Sequence, residues 1–355
     1  MRIVIYITVC VCILSVCRVF ANELPVDHKA TKETVSLYNN LRQLANSSRF
    51  LFGHQDAYAY GVKWKYVPGR SDIKDVTGDH PALCGWDLAG IETGSAINIT
   101  GVSFEDVKQY TLQGYERGEV ITYSWHMMNP LNGKSAWDTA EGTVSSILPG
   151  GEKHETYKSW LDAAAAFILD LKGKDGEYIP IILRLFHELN GNWFWWGGKN
   201  CTPGDFKQLW HFTVSYLREE KNVHNVLYAF NTDVFSSVDE FMQKYPGKEW
   251  VDIVGFDIYH KKNFTNNSFS KKLNSDLKML NLISSKQNKI PAITEFGFNL
   301  LQDDQWWTRV FLKTVKKRRI AYAMAWRNSG TTEYYVPYAE QQSSEDFRRL
   351  YRSGI

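Results

Sequence analysis

Eight near-continuous apolar runs recur along the chain, separated by amphipathic stretches of helical length. They are Arg49 to Gln55, Ala82 to Leu88, Glu119 to His126, Ile179 to Glu188, Val226 to Asn231, Val251 to Tyr259, Ile290 to Gly297 and Ile320 to Asn328. Runs of this kind are the pattern of parallel strands buried on both faces. The intervening segments open on helix caps. Ser103-Phe-Glu-Asp106 offers a hydroxyl to an early backbone N–H, and Thr202-Pro-Gly-Asp205 places proline at the first helical position. Ser159 to Lys172, with its alanine run, predicts a strong helix. A strand–helix alternation repeated eight times in a chain of 355 residues predicts an α/β fold, a single-domain (β/α)8 TIM barrel. An open doubly wound sheet would want a glycine-rich phosphate loop after an early strand, and the sequence has none.

In such a barrel, functional groups gather at the C-terminal ends of strands. Every predicted strand here ends on polar or aromatic residues: His54 and Gln55, Asp87, Trp125-His126, His187-Glu188, Asn231, Asp257 and Tyr259, Glu295, and Trp326-Arg327. Packing alone does not explain eight such ends. Two of them are glutamates, on strands four and seven, which face each other across an eight-strand mouth. Hydrolysis of a glycosidic bond with retention needs a carboxylic acid to protonate the leaving oxygen and a carboxylate, about 5–5.5 Å away, to attack the anomeric carbon. The apolar neighbourhood of Trp193, Phe194, Trp195 and Trp196 suits Glu188 to the protonated role, with the indoles as surfaces for sugar stacking. Arg327 or Arg184 would keep Glu295 ionised, and Arg184 and Glu188, four apart, are expected on one side of a common strand. His54, His126 and His187 with Asp257 and Glu188 form a competing metal-ligand set. Gly53-His-Gln-Asp56 supplies only one first-strand histidine where that chemistry usually has two one residue apart, so neither metal nor cofactor is expected.

Composition narrows the setting. Met1 and Arg2 precede an apolar stretch from Ile3 to Val16, and Val19-Phe-Ala21 fits a cleavage site, so residues 1–21 read as a signal peptide and 22–355 as the catalytic barrel. The protein is then secreted or periplasmic, with lipid anchoring through Cys17 as the lesser reading. Cys10, Cys12 and Cys17 fall in that leader, which leaves Cys84 and Cys201 as one bridge or two separate thiols. With a net charge of +2 nothing points to a polyanionic partner, and Lys316-Lys-Arg-Arg319 reads as a solvated helix face. Neither nucleic acid nor a membrane span is expected, and a monomer is. Aromatic content of 14%, with 13 tryptophans, is compatible with a carbohydrate cleft. Trp306-Trp307 reads as core, while Trp64 and Tyr66 are candidates for a distal sugar subsite. Five Asn-x-Ser/Thr sequons (Asn46, Asn98, Asn200, Asn263, Asn266) matter only in a eukaryotic secretory pathway, and a glycan on Asn200 would crowd the cleft.

The string Arg184-Leu-Phe-His-Glu188-Leu-Asn-Gly-Asn-Trp193-Phe-Trp-Trp-Gly, followed by Thr294-Glu295-Phe-Gly297, resembles the acid/base and nucleophile motifs of glycoside hydrolase family 26. Ser124-Trp-His126-Met-Met-Asn-Pro130 and the Leu148-Pro-Gly-Gly151 turn are similar to the same family, and the resemblance runs from about Leu37 to Tyr351. Leu189 departs from the methionine many members carry, with little consequence for volume. The resemblance implies a retaining β-1,4-mannanase acting on mannan, galactomannan or glucomannan, with Glu188 as acid/base and Glu295 as nucleophile. It also implies that His126, His187, Trp193, Asp257, Tyr259, Trp326 and Arg327 surround the central subsites. In that reading Tyr259 hydrogen-bonds the nucleophile, Asp257 orients its neighbours, the histidines contact sugar hydroxyls or tune the carboxylates, and Trp193 and Trp326 form stacking walls. The same machinery on β-1,3-xylan or mixed-linkage β-glucan is the alternative. A non-catalytic carbohydrate-binding barrel is the remote one.

Overall fold

The computed structural model describes residues 23–354, so the expected leader, with its three cysteines, lies outside the described residues. Eight parallel strands close into a barrel: β1 (Leu51–Gln55), β2 (Leu83–Asp87), β3 (Val120–Ser124), β4 (Ile181–Arg184), β5 (Val226–Thr232), β6 (Ile253–Tyr259), β7 (Ile290–Gly297) and β8 (Tyr322–Ala325). Each pairs with its sequence neighbours, and β1 pairs with both β8 and β2 to complete the ring. Helices of the outer layer include Phe104–Glu116, His154–Asp170, Pro203–Ser215 and Asn266–Gln287. The two caps read from sequence are in place: Ser103 Oγ accepts from the Asp106 N–H, and Thr202 Oγ1 from the Asp205 N–H. Cys84 and Cys201 are free, buried thiols. No helix of the described residues is long and apolar enough to cross a membrane.

Alternation along the strands divides the core in two. Leu83, Ile182, Leu227, Ala229, Ile253, Ile290, Ala292, Tyr322 and Met324 fill the barrel interior. Tyr38, Leu41 and Ala45 of the helix Lys32–Ala45 belong to the same cluster and close the N-terminal end of the barrel. Residues of opposite parity, such as Ile181, Leu183, Ala323 and Ala325, pack outward into the larger cluster under the helices. Inward parity continues upward from Ile182 to Arg184 and from Ala229 to Asn231, so these polar side chains project into the C-terminal mouth.

Two departures from the expected strands bear on the site. β4 ends at Arg184, four residues short of Glu188. Phe186 and Glu188 adopt left-handed backbone angles (φ 50° and 52°), which break the strand and cancel the expectation that Arg184 and Glu188 share one strand face. Such a conformation costs about 1–2 kcal/mol at a non-glycine residue and concentrates at functional sites. The second departure is a β-bulge in β7. Phe256 pairs with Ile293, but the next residue on β6, Asp257, pairs with Glu295, so Thr294 is the extra residue. The β8 pairing shows the same skip, from Ala323 with Ile293 to Ala325 with Phe296. A bulge of this kind re-aims the side chain that follows it. Here Thr294 Oγ1 donates to Asp257 Oδ1 (2.7 Å) while Glu295, one residue on, also reaches the mouth.

Candidate active site

Glu188, Asp257 and Glu295 converge at the centre of the mouth, with one carboxylate oxygen from each within 4.8 Å of the others. The cation that balances them belongs to the chain. Arg184 is fully buried; one terminal nitrogen donates to both oxygens of Asp257 (3.1 Å each) and the other to Glu295 Oε2 (2.8 Å). Asp257 also accepts from Asn231 Nδ2 (2.9 Å) and from Thr294 Oγ1. Burial pushes its carboxyl upward and Arg184 opposes that push. With every neighbouring donor aimed at its oxygens, the ionised form is the one this cage fits. Tyr259 donates its hydroxyl to Glu295 Oε1, and burial followed by the Glu295 charge raises the phenol well above its usual range, so it stays a donor. Glu295 therefore has each oxygen held by a different donor.

Arg184 is the residue on which this balance depends. Replacing it with methionine leaves two facing carboxylates without a cation, and breaking a buried ion pair from one side costs about 3–5 kcal/mol. The R184M variant is expected to unfold at correspondingly lower urea concentration than wild type, read by far-UV circular dichroism.

Glu188 sits in a different environment. It is half-buried, and its hydrogen-bond donor is the indole N–H of Trp193, 2.6 Å from Oε2. Burial, then the charges of Asp257, Glu295 and Asp233, raise its carboxyl well above the ordinary value of 4.5. Arg184 touches two of the three carboxylates, and Glu188 is the one it leaves, so the protonated form is favoured there. Because Trp193 needs an acceptor at Oε2, the proton is left on Oε1. The chemistry is that of an uncharged carboxylic acid facing a clamped carboxylate.

Histidines line the wall beside this pair. Asp87 accepts from His126 Nδ1 (2.7 Å), from Ser124 Oγ (2.6 Å) and from two backbone N–H groups. Burial alone would raise Asp87, but His126 and these bonds hold it down at about 2. The Nε2 atoms of His126 and His187 lie 3.1 Å apart, and burial, helped by the nearby positive groups, keeps His187 well below the usual histidine range and hence neutral. The two rings thus share a single N–H between their Nε2 atoms. Neither hydrogen-bonds Glu188 or Glu295; their partners are Asp87 and each other.

Other sequence expectations are corrected. Arg327 does not serve Glu295: it pairs with Glu333 (3.4 Å) and lies beside Tyr60 and Asp56, one step out along the cleft. Trp195 and Trp196 are wholly buried, donating to the Met127 and His187 carbonyls, so of that tryptophan cluster only Trp193, 39% exposed, faces the cleft. Trp64 is core, its indole bonded to Asp72 (2.7 Å), and of the two aromatic candidates Tyr66 is the exposed one. His54 is buried at the barrel end and burial lowers it to about 3, while Trp306 and Trp307 are core as expected. Trp326 is partly exposed, 6.3 Å between ring centroids from His126. Two groups were missed in the sequence. Trp137, 49% exposed, stacks on His126 at 5.3 Å between centroids; a lone indole in the polar stretch Asn132 to Glu141 was its signal. Asp233, after β5, acts on Glu188 by charge, and the end of that strand was read only as far as Asn231.

A parallel (β/α)8 barrel whose mouth opposes two glutamates, one clamped by an arginine and a tyrosine and the other raised by burial, has the fold and site of the barrel glycoside hydrolases. The comparisons with known proteins narrow this. The family model for glycosyl hydrolase family 26 matches residues 26–328. A mannan endo-1,4-β-mannosidase of Bifidobacterium adolescentis is 35% identical over 280 residues, 76% of this chain but only 27% of that longer protein. A mannan endo-1,4-β-mannosidase of Bacillus subtilis is 25% identical over 86% of this chain and 82% of its own length. Among solved structures, a family 26 β-mannanase from Bacteroides ovatus superposes with a TM-score of 0.88 at 40% identity, covering 91% of this chain and 94% of that one. A modular endo-β-1,4-mannanase from Cellulomonas fimi gives 0.84 at 33% identity, over 93% and 78%. The chain belongs to glycosyl hydrolase family 26.

Proposed function

We propose that this chain hydrolyses β-1,4-mannosidic bonds in mannan, galactomannan or glucomannan with retention of configuration. The observation that carries the mechanism is the pair Glu188 and Glu295, opposed across the mouth with one oxygen of each within 4.8 Å, Glu295 clamped by Arg184 and Tyr259 and Glu188 left free of the arginine. Glu188 gives its proton to the glycosidic oxygen as the bond to the anomeric carbon breaks. Glu295, held by Arg184 and Tyr259, attacks that carbon and forms a glycosyl-enzyme ester. Glu188, now ionised, takes a proton from water, whose oxygen displaces Glu295 and regenerates both groups. Oxygens this close favour the retaining arrangement, about 5–5.5 Å between carboxyls, over the inverting one at about 6.5–9.5 Å. His126, His187, Trp137, Trp193 and Trp326 supply the polar and aromatic walls for the sugar, with Arg327 further along the cleft.

Mannan as substrate rests on the family and on the activities of the relatives. The test is to incubate the protein with β-mannan, β-1,3-xylan and mixed-linkage β-glucan and follow new reducing ends, with proton NMR of the first anomer released. Manno-oligosaccharides born as the β anomer are expected. Products from xylan or glucan alone would replace the substrate and keep the mechanism; an α anomer would overturn the mechanism. The apolar residues 3–16 support export to the periplasm or medium, where a polysaccharide is met.

A further inference from the structure

Lys244 lies just beyond the short helix Val238–Met242, is 4% exposed, and its ammonium has carbonyl oxygens as hydrogen-bond acceptors where a carboxylate would be expected. The acceptors are Gly198 O (2.9 Å), Leu189 O (3.4 Å) and Trp196 O (3.4 Å), and the Phe206 ring lies 5.3 Å away. All three carbonyls belong to the loop that follows Glu188. That loop closes on itself through the Gly198 N–H to Leu189 O bond (2.9 Å), and Lys244 spans the closure, holding its first residue and its last two turns together. Trp193, at the tip, is the residue whose indole donates to Glu188.

Burying an ammonium without a counter-charge costs several kcal/mol, and methionine would fill the same space without that cost. What lysine adds is the convergence of three carbonyls that would otherwise repel one another. A cavity of about 470 Å³ adjoins the site, lined by Asn192, Cys201 and Lys244 among others, and the Asn200 amide ties the middle of the loop at Asn192 O (3.1 Å) and Phe194 O (2.9 Å), which leaves its base to the cation. Asn190 adds a second tie on the far side, accepting from the Asp233 N–H (2.7 Å) and donating to Val234 O (3.0 Å).

We propose that Lys244 is a positioning residue for proton donation: by clamping the base of the Leu189–Gly198 loop, it holds the Trp193 indole on Oε2 of Glu188 and so keeps the acidic proton on the oxygen that faces the bond to be cut. The inference rests on the reading of Glu188 as the acid. Loss of the clamp leaves Glu188 in place but lets its proton and its rotamer wander, which matters only when the leaving group needs protonation.

The experiment measures kcat/KM of K244M on β-mannan and on an aryl β-mannobioside with a 2,4-dinitrophenolate leaving group. K244M is expected to fall about tenfold on mannan and less than about twofold on the activated substrate, part of the full general-acid contribution. In a W193F background, K244M should cause no further loss on mannan, because the two changes break one chain of contacts. A small alkylammonium ion, which the adjoining cavity admits, should restore part of the mannan activity of K244A. Equal losses on both substrates, wild-type activity on mannan, or full additivity with W193F would overturn the proposal. Should K244M fail to fold, K244Q, which keeps an uncharged donor of similar reach, carries the same comparison. E188Q is assayed alongside: if it shows the leaving-group split and K244M does not, the Lys244 inference alone falls, whereas no split in E188Q removes the reading of Glu188 itself.

Discussion

Replacing Glu295 with alanine is expected to lower turnover by at least about 10⁴-fold on every substrate, activated or not, because no covalent intermediate forms without it. The loss should not depend on the leaving group. Nor should it come from unfolding. Arg184 keeps Asp257, Asn231 lies within 3.5 Å, and Tyr259 loses a partner at the solvent side of the mouth. A second consequence separates the nucleophile from a merely electrostatic carboxylate. In E295A a small anion such as azide has room beside the anomeric carbon, and with an aryl β-mannobioside it should yield the α-mannosyl azide, detected by NMR. Activity of E295A near wild type, on any β-mannoside, would remove Glu295 from the mechanism.

The Glu188→Gln variant should behave differently. Polymer hydrolysis needs a proton on the leaving oxygen and is expected to fall by about 10²–10⁴-fold, while cleavage of a dinitrophenyl mannoside needs none and should keep its first step nearly intact. The pH profile supplies the check. Wild-type activity requires Glu188 protonated, and burial with three neighbouring carboxylates raises its pKa, so activity is lost as pH rises through that raised value. E188Q assayed for release of dinitrophenolate should lack this alkaline limb. Stability follows the same sign. A carboxyl whose folded-state pKa lies above its unfolded value binds its proton more tightly when folded; the resulting stability is complete below the unfolded value and disappears as pH climbs through the folded one. Glutamine never ionises, so E188Q is expected to melt at a higher temperature than wild type on the alkaline side of that window. An E188Q melting curve that tracks wild type across the whole range would mean that Glu188 carries no shifted proton.

Much of this was readable from the chain. Eight buried strands announce themselves as apolar runs, and β7 was bounded correctly because proline, glycine and a polar flank frame it. The pairing of Glu188 with Glu295 follows from strand counting alone. What the sequence hides is where the backbone leaves its period. Nothing in Arg184-Leu-Phe-His-Glu188 signals two left-handed residues, and a period-2 reading put Arg184 and Glu188 on one strand. Tryptophans mislead for a related reason: Trp193, Trp195 and Trp196 look alike in sequence, yet one is half-exposed and two are fixed inside by hydrogen bonds to main-chain carbonyls. Arg327 and Arg184 were equal candidates for supporting the nucleophile. Only depth separates them, since Arg184 stands one inward step above Ile182 and Arg327 lies past the end of β8.

The bulge in β7 carries an evolutionary implication. Two consecutive side chains, Thr294 and Glu295, reach the mouth because Thr294 is a surplus backbone residue that neither β6 nor β8 pairs across. A relative shortened by the one codon for this threonine would retain both glutamates, the histidines and the arginine. Its glutamate would still face the mouth, between the outward Ile293 and Phe296, but the hydroxyl that donates to Asp257 would be gone. Counting residues across that one segment therefore tells whether a homologue keeps the hydroxyl that braces Asp257 behind its nucleophile, a support that the two glutamates by themselves do not reveal.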